Sequence, residues 1–584
     1  MKKILFLLLA TFAFAKGFAA EPVKLTFDED KRGATLSNGL VTLHIKADGE
    51  VDLIHYAGKD IISTKNYNGS TYLSYVTDKM NNGLKADAVS VISQSDDMVE
   101  IVYSNSRESR SLHWSVGYIM RRGLSGYYNY ATVLARETSK GKFDNGVHEA
   151  RIVYRMDPEI FTYAYADEVE QREMPTPEQM KNPIKEIQDA TYQVTDDRIY
   201  TKYDYATYMP VDTLHGVMGT DVGAWIISPS HEWENGGVQK QDLTVHADKG
   251  SPLLLQMYQS CHLGGVPARY ERGQRKMYGP YLVYFNQGKN HAAMIADAKK
   301  QTTKETSTYP YKWFKHELFV NERGTVKGHL NLDKSFGTTK MQVVLAAPGM
   351  KPMLQGTGYQ FWAETDSKGN FTIEKVRPGE YTLYAWALNG EATGTFQQDG
   401  ITVKAGKNSV GNLTWKAEKY GKTLWRIGES DRTVKGYNFS NEKRQYGLFW
   451  KVPEDLTFVI GKSKEATDWY YAQAKKGKWN IEFNSDRTYS QPLRLTIATA
   501  GAAGKVKANV LVNDKNIGIM RTENDGSVYR SAILGGRDSL FVFDIEPQII
   551  VKGKNTITLD LWGMPGNNLG GFMYDCIKLE AKEQ

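Results

Sequence analysis

Thr365-Asp366-Ser367-Lys368-Gly369-Asn370-Phe371-Thr372-Ile373-Glu374-Lys375-Val376-Arg377-Pro378-Gly379-Glu380-Tyr381-Thr382-Leu383 is the stretch on which the fold of this chain turns. Asp-Ser-Lys-Gly-Asn is turn chemistry, and Phe371-Thr372-Ile373 alternates with period two. Pro378-Gly379 turns the chain again before a second alternating run. Between Arg323 and about Trp415 this predicts a small Greek-key β-sandwich of about 100 residues. The same punctuation continues upstream. Val41–Ile45 and Val99–Tyr103 are rich in β-formers, and Asn38-Gly39, Asn82-Gly83 and Asn235-Gly236 are tight-turn signals. Downstream, runs at Trp479–Phe483, Leu493–Ile497, Val506–Val512 and Asn555–Leu561 predict a third, jelly-roll-like sandwich. Helical patterns are few. One runs from Asn290 to Gln301, one from Lys464 to Lys476 closed by Gly477, and one near Pro175–Ala190 is interrupted by Pro183. The polar run Gln301–Thr308 suits a linker. The chain is expected to be mostly β.

Composition narrows the function classes. At about 150 residues per domain, 584 residues make three to four domains. Lys+Arg 73 against Asp+Glu 67 leaves +6, too balanced for a polybasic nucleic-acid binder. A 41% hydrophobic and 12% aromatic chain can bury real cores. Cys261 and Cys576 cannot build a disulfide framework or a four-thiolate zinc site. The N-terminal run MKKILFLLLATFAFAKGFAA has two lysines, an apolar stretch and a small-x-small pattern at Gly17-Phe18-Ala19. It reads as a secretory signal, which predicts a periplasmic or extracellular protein. No cysteine follows it to carry a lipid, and no later apolar run is long enough for a membrane helix.

No His-Glu-x-x-His, Cys-x-x-Cys, EF-hand, Gly-x-Ser-x-Gly or phosphate loop is present, so neither a metal nor a cofactor is expected. Chemistry then concentrates between Arg151 and Phe285. As a strand, His148–Met156 puts Ala150, Ile152, Tyr154 and Met156 on one face and Glu149, Arg151, Val153 and Arg155 on the other. Two guanidiniums about 13 Å apart on an open face suit an anionic substrate, although a solvated strand face is the plainer reading. Lys202 lies among Tyr200, Tyr203, Tyr205 and Tyr208. It could act as a base if its pKa fell by about two to three units from about 10.4; alone, it reads as a surface lysine. His262 ends a β run before Gly264-Gly265, where a structural histidine is the commoner case. Trp233–His246 is a polar, hairpin-like turn.

The order of these segments carries a resemblance. T-K-Y-D-Y-A at 201–206, His215-Gly216, W-x-I-x-P-S-x-E-x-x-x-G-G from Trp225, and K-Q-D-L-T-x-H at 240–246 follow one another. Arg323–Gly328, the 365–383 stretch, Leu424–Gly428 and Gly570–Glu580 follow in turn. Together they resemble the rhamnogalacturonan lyases of polysaccharide lyase family 4 over nearly the whole chain after the leader. At Cys576 this chain departs from the aromatic residue expected there.

After the signal peptide read at 1–20, the resemblance implies a galactose-mutarotase-like catalytic β-sandwich (21–312), a fibronectin-III-like domain (313–418) and a carbohydrate-binding-module-like jelly roll (419–584). It implies β-elimination at rhamnose-(1,4)-galacturonate bonds of rhamnogalacturonan I by a monomer without cofactor. Lys202 and His262 then match the catalytic pair, and Arg151 and Arg155 the substrate-binding arginines. Tyr203, Tyr205 and Tyr258 are weaker candidates for stacking or clamping. Rival readings are a hydrolase on the same polymer, a lyase on rhamnose-glucuronate linkages and a non-catalytic pectin binder. A hydrolase would want two flanking carboxylates, and none stand out.

Overall fold

The computed structural model describes residues 20–62, 71–248, 250–337, 339–532 and 534–582. Of the leader read at residues 1–20, residues 1–19 lie outside them. The described chain is almost entirely β. In its first part an eleven-stranded and a nine-stranded sheet, counted among the described residues, enclose one core. Strand alternation supplies it: Val41–Ile45 and Thr71–Thr77 bury every second residue. Many of the tyrosines are spent here. Tyr154 and Tyr281 share Asn129 Oδ1 at 2.9 and 3.2 Å, so these buried phenols satisfy one another rather than meeting a ligand.

A three- and a four-stranded sheet follow between Gly324 and Trp415, with Asn370–Val376 and Gly379–Ala387 in opposite layers around a second core. The last part packs a four-stranded sheet on a five-stranded one around a third core.

Three local expectations are corrected. The helix after Asn290 runs His291–Thr308, so the presumed linker is its last two turns. Thr302 and Thr306 hydroxyls bond back to the carbonyls of Ala298 and Thr302, and buried Glu305 accepts from Tyr128 and Tyr311. The helix expected over 464–476 is one turn, Glu465–Asp468. Trp469 and Tyr471 are drawn into the third core, and Tyr470 and Gln473 form β-bridges instead. Asn82-Gly83 lies in a strand, Asn81–Gly83, and the turn is made at Thr77–Met80.

The parts are tied by buried charge. The Glu232 side chain, 2% exposed, receives Arg323 at 2.8 Å and Arg377 at 3.2 Å across the first junction. Glu232→Ala strands two guanidiniums in a dry seam. It should cost about 3–5 kcal/mol, read as a lower denaturation midpoint. At the other junction Gly264 N–H donates to the Asp525 carbonyl at 3.1 Å, and Gln241 Nε2 donates to the Gly535 carbonyl at 2.6 Å. Asp525 and Gly535 of the last part are thereby seated on Gly264 and Gln241 of the first.

Candidate active site

Strand Gly146–Arg155 lies between Thr71–Thr77 and Ser251–Gln259. As its alternation requires, Ala150, Ile152 and Tyr154 enter the main core, while Val153 joins a separate cluster on the other face. That second face is not open along its length. Leu255 and Met257 of the neighbouring strand extend it, and Tyr203, Leu243 and Ala532 close over it. Arg155 is 1% exposed, donating to Tyr72 Oη at 3.0 Å and Asp248 Oδ2 at 3.1 Å. The expected pair of substrate-facing arginines is thus reduced to one. Arg155 is a buried strut, because strand Val245–Asp248 and Tyr72 enclose its end of the face.

Arg151 stays at the rim. Its Nη1 pairs with Glu149, whose other oxygen is 2.9 Å from His262 Nε2. The protonation of His262 follows from its partners. Ser260 Oγ accepts from the His262 backbone N–H at 3.2 Å and from Lys240 Nζ at 3.3 Å. Its own hydrogen is left for Nδ1, 3.1 Å away. Nε2 therefore carries the ring hydrogen and donates to Glu149. Burial lowers the imidazole pKa to about 4; Asp242 opposes the shift, and the Lys202 and Arg530 cations reinforce it. His262 is neutral near pH 7.

Lys202 opens a short 3-10 turn, Lys202–Tyr205, at the end of a small three-stranded sheet formed by residues 185–201. Its backbone N–H donates to the Ala190 carbonyl at 3.2 Å, and Nζ lies 3.0 Å from Asp189 Oδ2. Burial pushes its pKa below the ordinary lysine range; Asp189 opposes this, and Arg151 and Arg530 add to it. Those are the conditions under which a lysine can serve as a base near neutrality.

The tyrosines separate. Tyr203 gathers the site: Lys202 Nζ lies 5.3 Å from its ring centroid, the Arg530 guanidinium 4.6 Å, and His262 meets it edge-on at 6.1 Å. Tyr205 turns the other way, under Arg172 at 5.7 Å, its hydroxyl on the Glu173 carbonyl at 3.1 Å. Tyr258 is fully buried, stacked on Tyr278 at 4.7 Å. It is a core residue, out of reach of a polymer. Its strand position alternates inward, a signal the sequence carried.

Four participants escaped the sequence reading. Asp189 and Glu149 are ordinary acids until the fold sets them against Lys202 and His262. His246 is neutral, its pKa lowered to about 3 by burial and by the Lys202 and Arg151 cations. Arg530 comes from the last part of the chain. Its Nη1 donates to the His262 carbonyl, and with Asp189, Tyr203 and Tyr529 it lines a cleft of about 330 Å³. Among the described residues, no group of three His, Cys, Asp or Glu side chains is placed to hold a metal ion.

The site therefore offers a lysine with a lowered pKa, a neutral imidazole and two guanidiniums at the seam between the first and last parts. Such a set can take a proton from carbon beside a carboxylate, while the cations stabilise the enolate that forms.

Residues 11–195 match the model of the rhamnogalacturonate lyase family. Residues 336–410 match polysaccharide lyase family 4, domain II, and 423–579 match the CBM-like model, polysaccharide lyase family 4, domain III. A rhamnogalacturonate lyase of Dickeya dadantii is 34% identical over 97% of this chain and 96% of its own. A probable rhamnogalacturonate lyase B of Aspergillus niger is 26% identical over 61% of this chain and 55% of its own. A putative aldose 1-epimerase of Escherichia coli K12 aligns over 46% of this chain and 100% of its own. At 10% identity and a TM-score of 0.26, that likeness is too slight to argue from.

Proposed function

The chain belongs to polysaccharide lyase family 4, the rhamnogalacturonate lyases, and on that premise we propose that it cleaves rhamnogalacturonan I by β-elimination, with Lys202 as the base. The observation that carries the reading is the Lys202 amine, mostly buried and flanked by the Arg151 and Arg530 cations that favour its neutral form.

Galacturonate binds with its carboxylate toward Arg151 and Arg530. Lys202 Nζ takes the C5 proton, and the electron pair left on C5 is delocalised into the carboxylate as an enolate. That pair then forms the C4–C5 double bond as the C4–O4 bond breaks, and O4 leaves with the rhamnose and takes a proton from water. The negative charge that accumulates on the carboxylate in the transition state is where the guanidiniums act. In the free protein His262 Nε2–H donates to Glu149. The same hydrogen suits either the carboxylate or the departing O4.

The test of the reaction class is optical. Elimination leaves a 4,5-unsaturated galacturonate that absorbs in the ultraviolet, and absorbance should rise in step with chain cleavage. Cleavage without absorbance would be hydrolysis and would overturn the reading.

Asp189 sets the pH dependence. It favours the charged lysine, so Asp189→Asn lowers the Lys202 pKa. The acid limb of kcat/KM should then move to lower pH, because the free base persists further down. A limb that stays in place would separate Asp189 from the base.

The lysine-headed leader supports export, checked by N-terminal sequencing of secreted protein for a chain that begins after Ala20. One chain supplies both walls of the seam, which supports a monomeric enzyme.

A further inference from the structure

Tyr203 and Tyr205 share one turn but line different cavities. Tyr203 lines the cleft formed with Asp189 and Arg530. Tyr205 faces a separate cavity of about 420 Å³, walled by Arg172, Arg198 and Asp204 on one side and by Tyr446, Trp450 and Lys451 on the other. This volume lies within the range of small-ligand sites, and no step of the elimination uses it.

Its chemistry is specific. Trp450 is 49% exposed, a large apolar side chain left half in water. The indole is seated on Gly447, at φ +91°, where a Cβ would come within 2.8 Å of the ring. Tyr446 meets it edge-on at 5.1 Å and fixes its orientation. A flat apolar face is thus held ready at the mouth of the cavity. The charges around it are Arg172, Arg198 and Lys451 against Asp197 and Asp204.

Asp204 adds a second, independent sign of a ligand. It is 5% exposed, yet its Oδ1 has no hydrogen-bond partner. Burial raises its pKa to about 8 despite Arg172, 3.6 Å away. It is therefore mostly a neutral acid at pH 7; Glu170 pairs with Arg172, and Arg198 and Lys451 against Asp197 leave the cavity cationic. The Arg172 Nε hydrogen is also buried and unpartnered. Unspent donors, excess positive charge and an exposed indole match a pyranose that carries a carboxylate. The C–H face of such a sugar stacks on the ring, and its acid group pairs with a guanidinium.

We propose that this cavity is a second uronate site, holding a galacturonate residue of the polymer remote from the bond being cut. The proposal rests on the lyase reading for its polymer. It explains why the last part of the chain, which contributes Arg530 to the cleft, also contributes Trp450 here. Two holds on one substrate make the second engagement intramolecular and raise affinity for long chains.

The test uses the full-length protein labelled with 5-fluorotryptophan, the Trp450 resonance being assigned by its loss in Trp450→Phe. D-galacturonate should shift that resonance, D-galactose at equal concentration should not, and Arg198→Gln should abolish the shift. On the polymer, Trp450→Ala and Arg198→Gln should each raise KM about tenfold, equivalent to about 1.4 kcal/mol. Their kcat, and both constants on a tetrasaccharide spanning only the cleft, should be unchanged. A resonance unmoved by galacturonate, equal movement with galactose, or an unchanged polymer KM would each overturn the site. Failure of the lyase reading would show as missing ultraviolet product while the galacturonate titration stayed readable.

Discussion

Lys202→Ala will lower kcat on rhamnogalacturonan I by about 10³-fold or more and leave polymer binding within about threefold of the parent. The amine contributes to one event, removal of the C5 proton, so its loss is felt in the transition state and hardly in the ground state. Lys202→Arg should be as inactive, because a guanidinium keeps the charge but does not deprotonate near neutrality. The two variants together separate a base from a mere positive charge. Binding is measured by titrating size-defined oligosaccharides, and turnover by ultraviolet absorbance. If either variant retains near-parental turnover, Lys202 is not the base. The turn that carries the lysine is held by the Lys202 N–H to Ala190 carbonyl bond, which alanine preserves. A folding defect is therefore not the expected cause of the loss.

Arg151→Ala will lower kcat by about 10²–10³-fold with only a few-fold change in KM, the mark of charge stabilised as it develops. Two secondary signatures follow from its neighbours. Arg151 is one of the cations that lower the Lys202 pKa, so its removal raises that pKa and moves the acid limb of kcat/KM to higher pH. This is the opposite sense to Asp189→Asn. Arg151 also pairs with Glu149 beside His262. Arg151→Lys keeps a charge there but not the planar fork, and should recover part of the rate. An effect confined to KM would show that Arg151 only holds substrate. Arg155→Ala should differ in kind. Its guanidinium is buried against Tyr72 and Asp248, so stability should fall along with activity.

Local rules made much of this protein legible in one dimension. Alternation along His148–Met156 assigned each side chain to its face. The turn residues of 365–383 announced a sandwich, and the ordered motifs placed Lys202 and His262 in one family of lyases. Where local signals competed with burial, they failed. The run after Lys464 has helical spacing, but Trp469 and Tyr471 gain more in the third core than a helix could give them. The Thr-rich run before Tyr309 looks like a linker, but side-chain bonds to its own backbone and a buried glutamate keep it helical.

Which residue types could do the chemistry is written in the chain, because a base, an acid partner and cations are chemical identities. Which of them meet is set by the folded chain. It buried Arg155 and Tyr258, turned Tyr205 away from Tyr203, and brought Arg530 across 268 residues of chain to the His262 carbonyl. The physical reason is that a pKa, an ion pair and a cleft depend on separation in space and exclusion of water, and neither is a local property of the chain.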